Sequence, residues 1–271
     1  MNISFFSLDF PDKDPLSARF PFVYDGVELS RPGCAVSSCF AGDMSRAAGQ
    51  DNPAREKFLR SLGLGGAPVF SVRQIHARDL VVVDRHSAIP DREADGLASR
   101  DAAVSLTVTV ADCLPVFLYD TGGNDSGNGP FALVHSGRSG TGIVLNALRL
   151  MRERWHSRPE TIAAVLGPCI QACCYRVDEE RARAFEAEFG GPSGEYPLGP
   201  VAGERADLPG GPGFSLGLQA ANARLLAGAG VRNIAVCRDC TFTDERLGSF
   251  RRQGPAYTRM LAVLNPLAID K

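Results

Sequence analysis

The chain has 271 residues, 44% of them hydrophobic and 22% charged, a composition that can bury a full globular core. Its formal charge of −2 supplies no overall basic field, so neither nucleic acid nor an anionic membrane is expected as a partner, and a phosphate-bearing ligand needs a local basic pocket. No apolar run is long enough to span a bilayer and the N-terminus lacks a basic n-region, so a cytoplasmic protein is expected, with its eight cysteines as thiols or metal ligands instead of a disulfide framework.

In chain order, residues 1–33 read as one or two strands with a turn at Arg31-Pro32-Gly33, and residues 40–52 as a small, polar loop. Asn52 as N-cap and Pro53 in the first turn predict a helix with Phe58, Leu59 and Leu62 on one side. Strands are expected at 68–75, 79–84, 103–110, 115–119 and 131–135, the last two joined by a polar, Gly-rich hairpin connection at 121–130. The pattern from Ile143 to Trp155 predicts an amphipathic helix burying Val144, Leu145, Leu148, Met151 and Trp155. A strand at 162–168 precedes a helix capped by Asp178, with Phe185 inward, and 190–213 reads as a long Gly/Pro-rich loop over a site. A helix at 218–226 and strands at 231–236 and 257–264 complete the chain. Strands that cluster in runs favour an α+β fold over a doubly wound sheet, and a single domain over 1–271 is expected.

Three residues stand at the ends of strand-like runs: His76, Cys113 and His135, separated by 37 and 22 residues. Two imidazoles and a thiolate make a soft-metal set with an open fourth position, as in a catalytic zinc site, where a bound water could titrate near neutrality. The spacing matches no zinc-finger or zincin pattern, and a buried Cys or strand-end His is commonly core. A His₂Cys set also suits copper, but only His86 and His156 remain for the further cluster that a multicopper oxidase needs. The same residues could act without metal, with Cys113 as nucleophile and His135 or His76 as its base.

After His135, the run Gly137 to Gly142, containing Arg138 and Ser139, leads into a helix and suits an anion, although a glycine turn that merely permits the connection reads equally well. Arg251-Arg252 offers a second basic pair, commonly just a surface feature. Cys237 with Cys240, and Cys169 with Cys173 and Cys174, could form a second structural zinc site or a redox pair, with incidental thiols as the default.

Six motifs then appear in order: Gln74-Ile75-His76, Ala94-Asp95-Gly96-Leu97, Val110-Ala111-Asp112-Cys113-Leu114-Pro115-Val116, His135-Ser136-Gly137, Gly167-Pro168-Cys169-Ile170 and Ser249-Phe250-Arg251-Arg252. Over roughly residues 65–264 the chain resembles the multicopper polyphenol oxidase (laccase) domain family, also called YfiH-like purine nucleoside phosphorylases. The resemblance implies a β-sandwich core of mixed sheets flanked by helices, similar to the catalytic domain of cytotoxic necrotising factors. It implies one zinc on His76, Cys113 and His135, and purine nucleoside chemistry: phosphorolysis of adenosine, inosine, guanosine and methylthioadenosine, or deamination of adenosine. Asp112 is a candidate proton acceptor, with Cys113 as catalytic thiol in the metal-free case. Arg138, Ser139, Arg251, Arg252 and Gln74 are candidates for phosphate and substrate binding. Editing of a cell-wall precursor by a Cys-His amide hydrolase, and a copper-binding oxidase-like or inactive protein, are the alternatives. Departures cluster after His135, where the family's Trp is missing and Arg138-Ser139 stands instead, and at Arg176 and Gly217, where the family carries acids. The sequence leaves the oligomeric state open.

Overall fold

The computed structural model describes residues 1–11, 16–45, 51–88, 92–122, 129–191 and 197–266. In chain order the first elements are β1 (Asn2–Phe6), β2 (Ser17–Tyr24), β3 (Val27–Ser37), α1 (Pro53–Ser61), β4 (Val69–Phe70), β5 (Leu80–Val82), β6 (Gly96–Ser99) and β7 (Ser105–Val110). Then come β8 (Leu114–Asp120), β9 (Phe131–Ser136), α2 (Ile143–Trp155), β10 (Ile162–Leu166), β11 (Arg176–Val177) and α3 (Glu179–Phe189). The last are β12 (Ala202–Arg205), β13 (Gly213–Leu216), α4 (Leu218–Gly228), β14 (Asn233–Cys237), α5 (Phe250–Gln253) and β15 (Met260–Asn265).

The strands form a seven-stranded sheet ordered β1-β14-β10-β8-β9-β6-β5, a five-stranded sheet ordered β2-β3-β15-β7-β4, and a small sheet ordered β11-β13-β12. Parallel and antiparallel pairs mix in both large sheets. The two large sheets face one another: Leu97, Phe117, Tyr119, Leu133 and Val165 from the first pack with Phe20, Phe22, Val36, Val108 and Leu264 from the second. Phe117 meets Phe20 edge-on at 5.3 Å between ring centroids, joining the sheets. On the outer face of the seven-stranded sheet lie α2, α3 and α4, and α1 covers the outer face of the five-stranded sheet through Phe58 and Leu62. This is the expected α+β sandwich flanked by helices. Among the described residues no helix is long and apolar enough to cross a membrane.

The helix signals hold where capping chemistry is explicit. Asn52 Oδ1 accepts from Arg55 N–H at 3.0 Å, and Asp178 Oδ1 from Arg181 N–H at 2.8 Å, each satisfying an otherwise unpaired first-turn donor. In α2 the buried residues are Ile143, Val144, Ala147, Leu148 and Met151, while Leu145 is exposed, because it sits a third of a turn off that face.

Three expectations are corrected. The N-terminal turn is Asp25-Gly26, both with positive φ, and not Arg31-Pro32-Gly33, which lies inside β3. Asp-Gly between alternating apolar residues is the stronger hairpin signal, because its left-handed backbone matches strand twist. Residues 190–213 are not a plain loop: 202–205 pair with 213–216 in the small sheet, whereas 192–196 lie outside the described residues. The strand expected at 68–75 pairs only at Val69 and Phe70. Beyond it Gln74 takes over with its side chain, donating Nε2–H to Thr109 O at 2.8 Å and accepting Thr109 N–H at 2.8 Å. Of the 121–130 connection, 123–128 lie outside the described residues; the flanking β8 and β9 pair antiparallel, as a hairpin requires.

Phe117 is fully buried where the sheets meet, so Phe117→Ala is expected to destabilise the fold by about 3–5 kcal/mol, read from the denaturant midpoint at unchanged m-value. A loss below about 1 kcal/mol would contradict this packing.

Candidate metal centre and cleft

The site lies at one end of the sandwich, where the chain passes from the five-stranded to the seven-stranded sheet. It does so between β4 and β5, carrying His76, and between β7 and β8, carrying Asp112 and Cys113. Antiparallel pairing places the start of β8 beside the end of β9, with Pro115 opposite His135 and Leu114 opposite Ser136. Cys113 therefore meets His135 although 22 residues separate them. The donor atoms of His76, Cys113 and His135 all lie within 4.8 Å of one another, and the two rings stand 5.0 Å apart, edge to face. Close approach needs a bare backbone at Gly137, where a Cβ would come within 2.8 Å of Cys113 Sγ.

Asp95 organises the histidines. Its buried carboxylate accepts the N–H groups of Ile75 at 3.1 Å, His76 at 3.0 Å and Ala77 at 2.7 Å, pinning a turn in which His76 has φ of 60°. It also pairs with His135 Nδ1 at 2.9 Å, which leaves Nε2 as the free donor of that ring. A carboxylate behind a metal-ligating histidine fixes its tautomer and raises its basicity. Burial opposes the Asp95 charge, but His135 and the N–H donors hold its carboxyl below the usual range. The sequence showed Asp95 within a motif without disclosing this part; an acid directly before a buried strand was the available signal.

The electrostatics favour a thiolate. Burial alone would raise the Cys113 thiol, yet His135 and His76 outweigh it and bring it down to about 6. Burial also opposes a charged His135, but Cys113 and Asp95 outweigh it and raise the imidazole to about 9. The folded thiolate therefore persists above about pH 6 and the imidazolium below about pH 9, giving a charged pair between them. A cation held by these donors would displace the His135 proton and meet a thiolate and two imidazoles, a donor set that suits zinc. At zinc bond lengths of about 2.0–2.3 Å, tetrahedral donors stand about 3.3–3.8 Å apart, inside the observed limit. The three residues fit a metal.

They open into a cleft of about 570 Å³ lined also by Gln74, Asp112, Arg138, Ser139, Tyr175, Phe250, Arg251 and Tyr257. Asp112 is buried; its Oδ1 accepts Thr241 Oγ1–H at 2.6 Å and its Oδ2 accepts Arg251 N–H at 2.8 Å. Gln74 reaches the cleft with its amide committed to Thr109. Arg138 and Ser139 are exposed at its edge. Arg251 also faces it, stacked over Tyr175 at 5.1 Å and donating to Arg176 O at 2.9 Å. Arg252 is not among the lining residues. Its guanidinium donates to the carbonyls of Thr241, Phe242, Asp244 and Leu247 and clamps that loop, so the basic pair offers one arginine to the cleft. Sequence reading missed the aromatic wall of Tyr175, Phe250 and Tyr257; the last two meet edge-on at 5.1 Å.

In metal-stripped protein, alkylation of Cys113 followed by peptide mass spectrometry is expected to reach half its plateau rate near pH 6. A profile rising near pH 9, as for an ordinary thiol, would refute the thiolate. Asp95→Asn is expected to weaken metal affinity about 10–100-fold in a folded protein, measured by competition with a chelator.

The family model described as multi-copper polyphenol oxidoreductase laccase matches residues 41–265. A purine nucleoside phosphorylase of Corynebacterium glutamicum is 32% identical over 254 residues, covering 92% of this chain and 93% of that protein. Purine nucleoside phosphorylase YlmD of Geobacillus stearothermophilus is 32% identical over 206 residues, covering 70% of this chain and 69% of its own. The crystal structure of YlmD superposes with a TM-score of 0.71 at 25% identity, over 86% of this chain and 90% of that one. With the fold, the ordered motifs and these matches in agreement, the chain belongs to the multi-copper polyphenol oxidoreductase laccase family.

Proposed function

We propose that the cleft is the active site of a zinc-dependent purine nucleoside enzyme, acting by phosphorolysis of adenosine, inosine, guanosine or methylthioadenosine, by deamination of adenosine, or both. The observation that carries this reading is the convergence of His76, Cys113 and His135 in an arginine-edged cleft, in a chain similar over most of its length to proteins named purine nucleoside phosphorylase. His76 and His135 imidazole nitrogens and the Cys113 thiolate would hold the ion, which supplies Lewis acidity toward an oxygen atom in the cleft.

The chain's own residues account for binding and proton handling. Phosphorolysis joins a phosphate oxygen to the ribose C1′ and releases the purine, so it needs an anion held beside the sugar. Arg138 and Arg251 present guanidinium groups there, and Ser139 a hydroxyl. Phe250 and Tyr257 offer faces on which a purine can stack. Each Asp112 oxygen keeps a second lone pair after its bond to Thr241 or Arg251, so this carboxylate can take a proton while still anchoring the Arg251 segment. Only four histidines are present, and His86 and His156 line no part of the cleft, so a multicopper cluster lacks ligands.

One observation favours a second reading. Asp95, His135 and Cys113 are arranged as orienting carboxylate, base and thiolate, the layout of a metal-free thiol hydrolase acting on an amide such as a peptidoglycan precursor.

Incubation of zinc-loaded protein with adenosine and phosphate is expected to yield adenine and ribose-1-phosphate, or inosine, resolved chromatographically. No turnover across the purine nucleosides would overturn the proposal, and full activity of metal-free protein would transfer it to the thiol reading. Arg251→Ala is expected to raise the phosphate KM about tenfold or more, the equivalent of one lost charge-assisted contact. An unchanged KM would remove Arg251 from phosphate binding.

A further inference from the structure

Outside the cleft machinery, a second group of side chains converges. The turn after Ile170 carries Cys173 and Cys174, and the turn after β14 carries Cys240. Their Sγ atoms all lie within 4.8 Å of one another, with those of Cys173 and Cys174 3.4 Å apart. Backbone contacts fix the two turns together: Cys169 and Cys240 form a bridge, Thr241 N–H donates to Cys169 O at 3.1 Å, and Gln171 N–H points to Cys240 Sγ at 3.3 Å. Of the five cysteines that the sequence offers for a second site or a redox pair, three converge, and Cys169 and Cys237 stand outside the group. Cys169 is fully buried, and Cys237 turns its thiol to Asp239.

We propose that Cys173, Cys174 and Cys240 form a second metal site, for a thiophilic d¹⁰ cation (Zn²⁺ or Cu⁺), which ties the 170–175 turn to the 240–244 turn. Thiolates around such an ion at about 2.3 Å stand about 3.8 Å apart on a tetrahedron and about 4.0 Å apart in a trigonal plane. The 3.4 Å separation of Cys173 and Cys174 and the 4.8 Å limit on all three pairs lie on either side of both values. All three thiols are free, and 3.4 Å is far beyond the roughly 2.05 Å of a disulfide. Three sulfurs with no imidazole or carboxylate in the group select soft ions over magnesium or calcium. Cys174 and Cys240 are buried against Ile170, Tyr175 and Phe242, whereas Cys173 is half-exposed and gives a route of entry.

Without a cation the cluster is costly to ionise. Burial first, then the neighbouring sulfurs, push the Cys174 thiol far up, and burial raises Cys173 as well. Binding must therefore release protons and tighten as pH rises. The brace would reach the cleft, because Ile170 and Tyr175 line it and Thr241 holds Asp112. The proposal stands independently of the reading given to the cleft.

The test is made in Cys113→Ala, which removes the thiolate of the other site. Reduced protein is dialysed to equilibrium against Zn²⁺ and, in a parallel anaerobic arm, against Cu⁺, with bound metal measured by mass spectrometry and fold by circular dichroism. About one ion per chain is expected in Cys113→Ala, falling to none when Cys174→Ser or, separately, Cys240→Ser is added. Metal is also expected to raise the melting temperature of Cys113→Ala alone. Retention by either arm identifies the ion. Absence of metal in both arms, an ion that survives both added substitutions, or a metal-free mass lower by two hydrogen atoms, marking a disulfide among these cysteines, would each overturn the proposal.

Discussion

One buried carboxylate holds the centre together. Asp95 accepts three consecutive backbone N–H groups and pairs with His135, so a single side chain sets both the path of the His76 turn and the tautomer of the second histidine. A charge with no exposure is tolerated because every lone pair that burial strips of water finds a donor. The same hydrogen bonds fix the His76 backbone and the His135 ring in the folded chain. Remove the carboxylate and three amides lose their acceptor at once, so the cost falls on backbone geometry as much as on the imidazole.

Around that point the sandwich supplies position. Two of the crossings between the large sheets, from β4 to β5 and from β7 to β8, leave short segments at the same end, and those segments carry His76, Asp112 and Cys113. The crossings are held by side chains acting as substitute backbone: Gln74 completes the edge of β7, and Asp112 ties Cys113 to the Thr241 and Arg251 segments. Aromatic and basic groups line the same cleft as the donors. His135 is buried among the donors, whereas His76, Arg138, Ser139, Phe250 and Arg251 are exposed to solvent.

Much of this was legible in the residues. The caps at Asn52 and Asp178, the apolar face of α2 and the strand-end donors were readable because each rests on local chemistry. What escaped required contact across the chain. Gln74 reads as part of a strand by its neighbours, and only the departure of its backbone from β7 shows that its amide does the pairing. Arg251 and Arg252 are equivalent in sequence, yet one full turn of carbonyls captures Arg252 and leaves Arg251 to the cleft. The Asp25-Gly26 turn was readable and was outranked by a proline. The three-cysteine group crosses both spacings the sequence suggested, since sulfurs are sorted by how two turns dock and not by their separation along the chain.

The position of β15 has a consequence for truncated chains. This last strand lies inside its sheet, between β3 and β7, and β7 leads directly into Asp112 and Cys113. Arg251, Phe250 and Tyr257 also come from the stretch just before it. A chain lacking residues 260–265 can pair its early strands only with a gap in the middle of the five-stranded sheet. The candidate metal centre therefore depends on a strand that follows all three of its donors in the chain, and chains clipped before residue 260 carry the donors without the sheet that positions them.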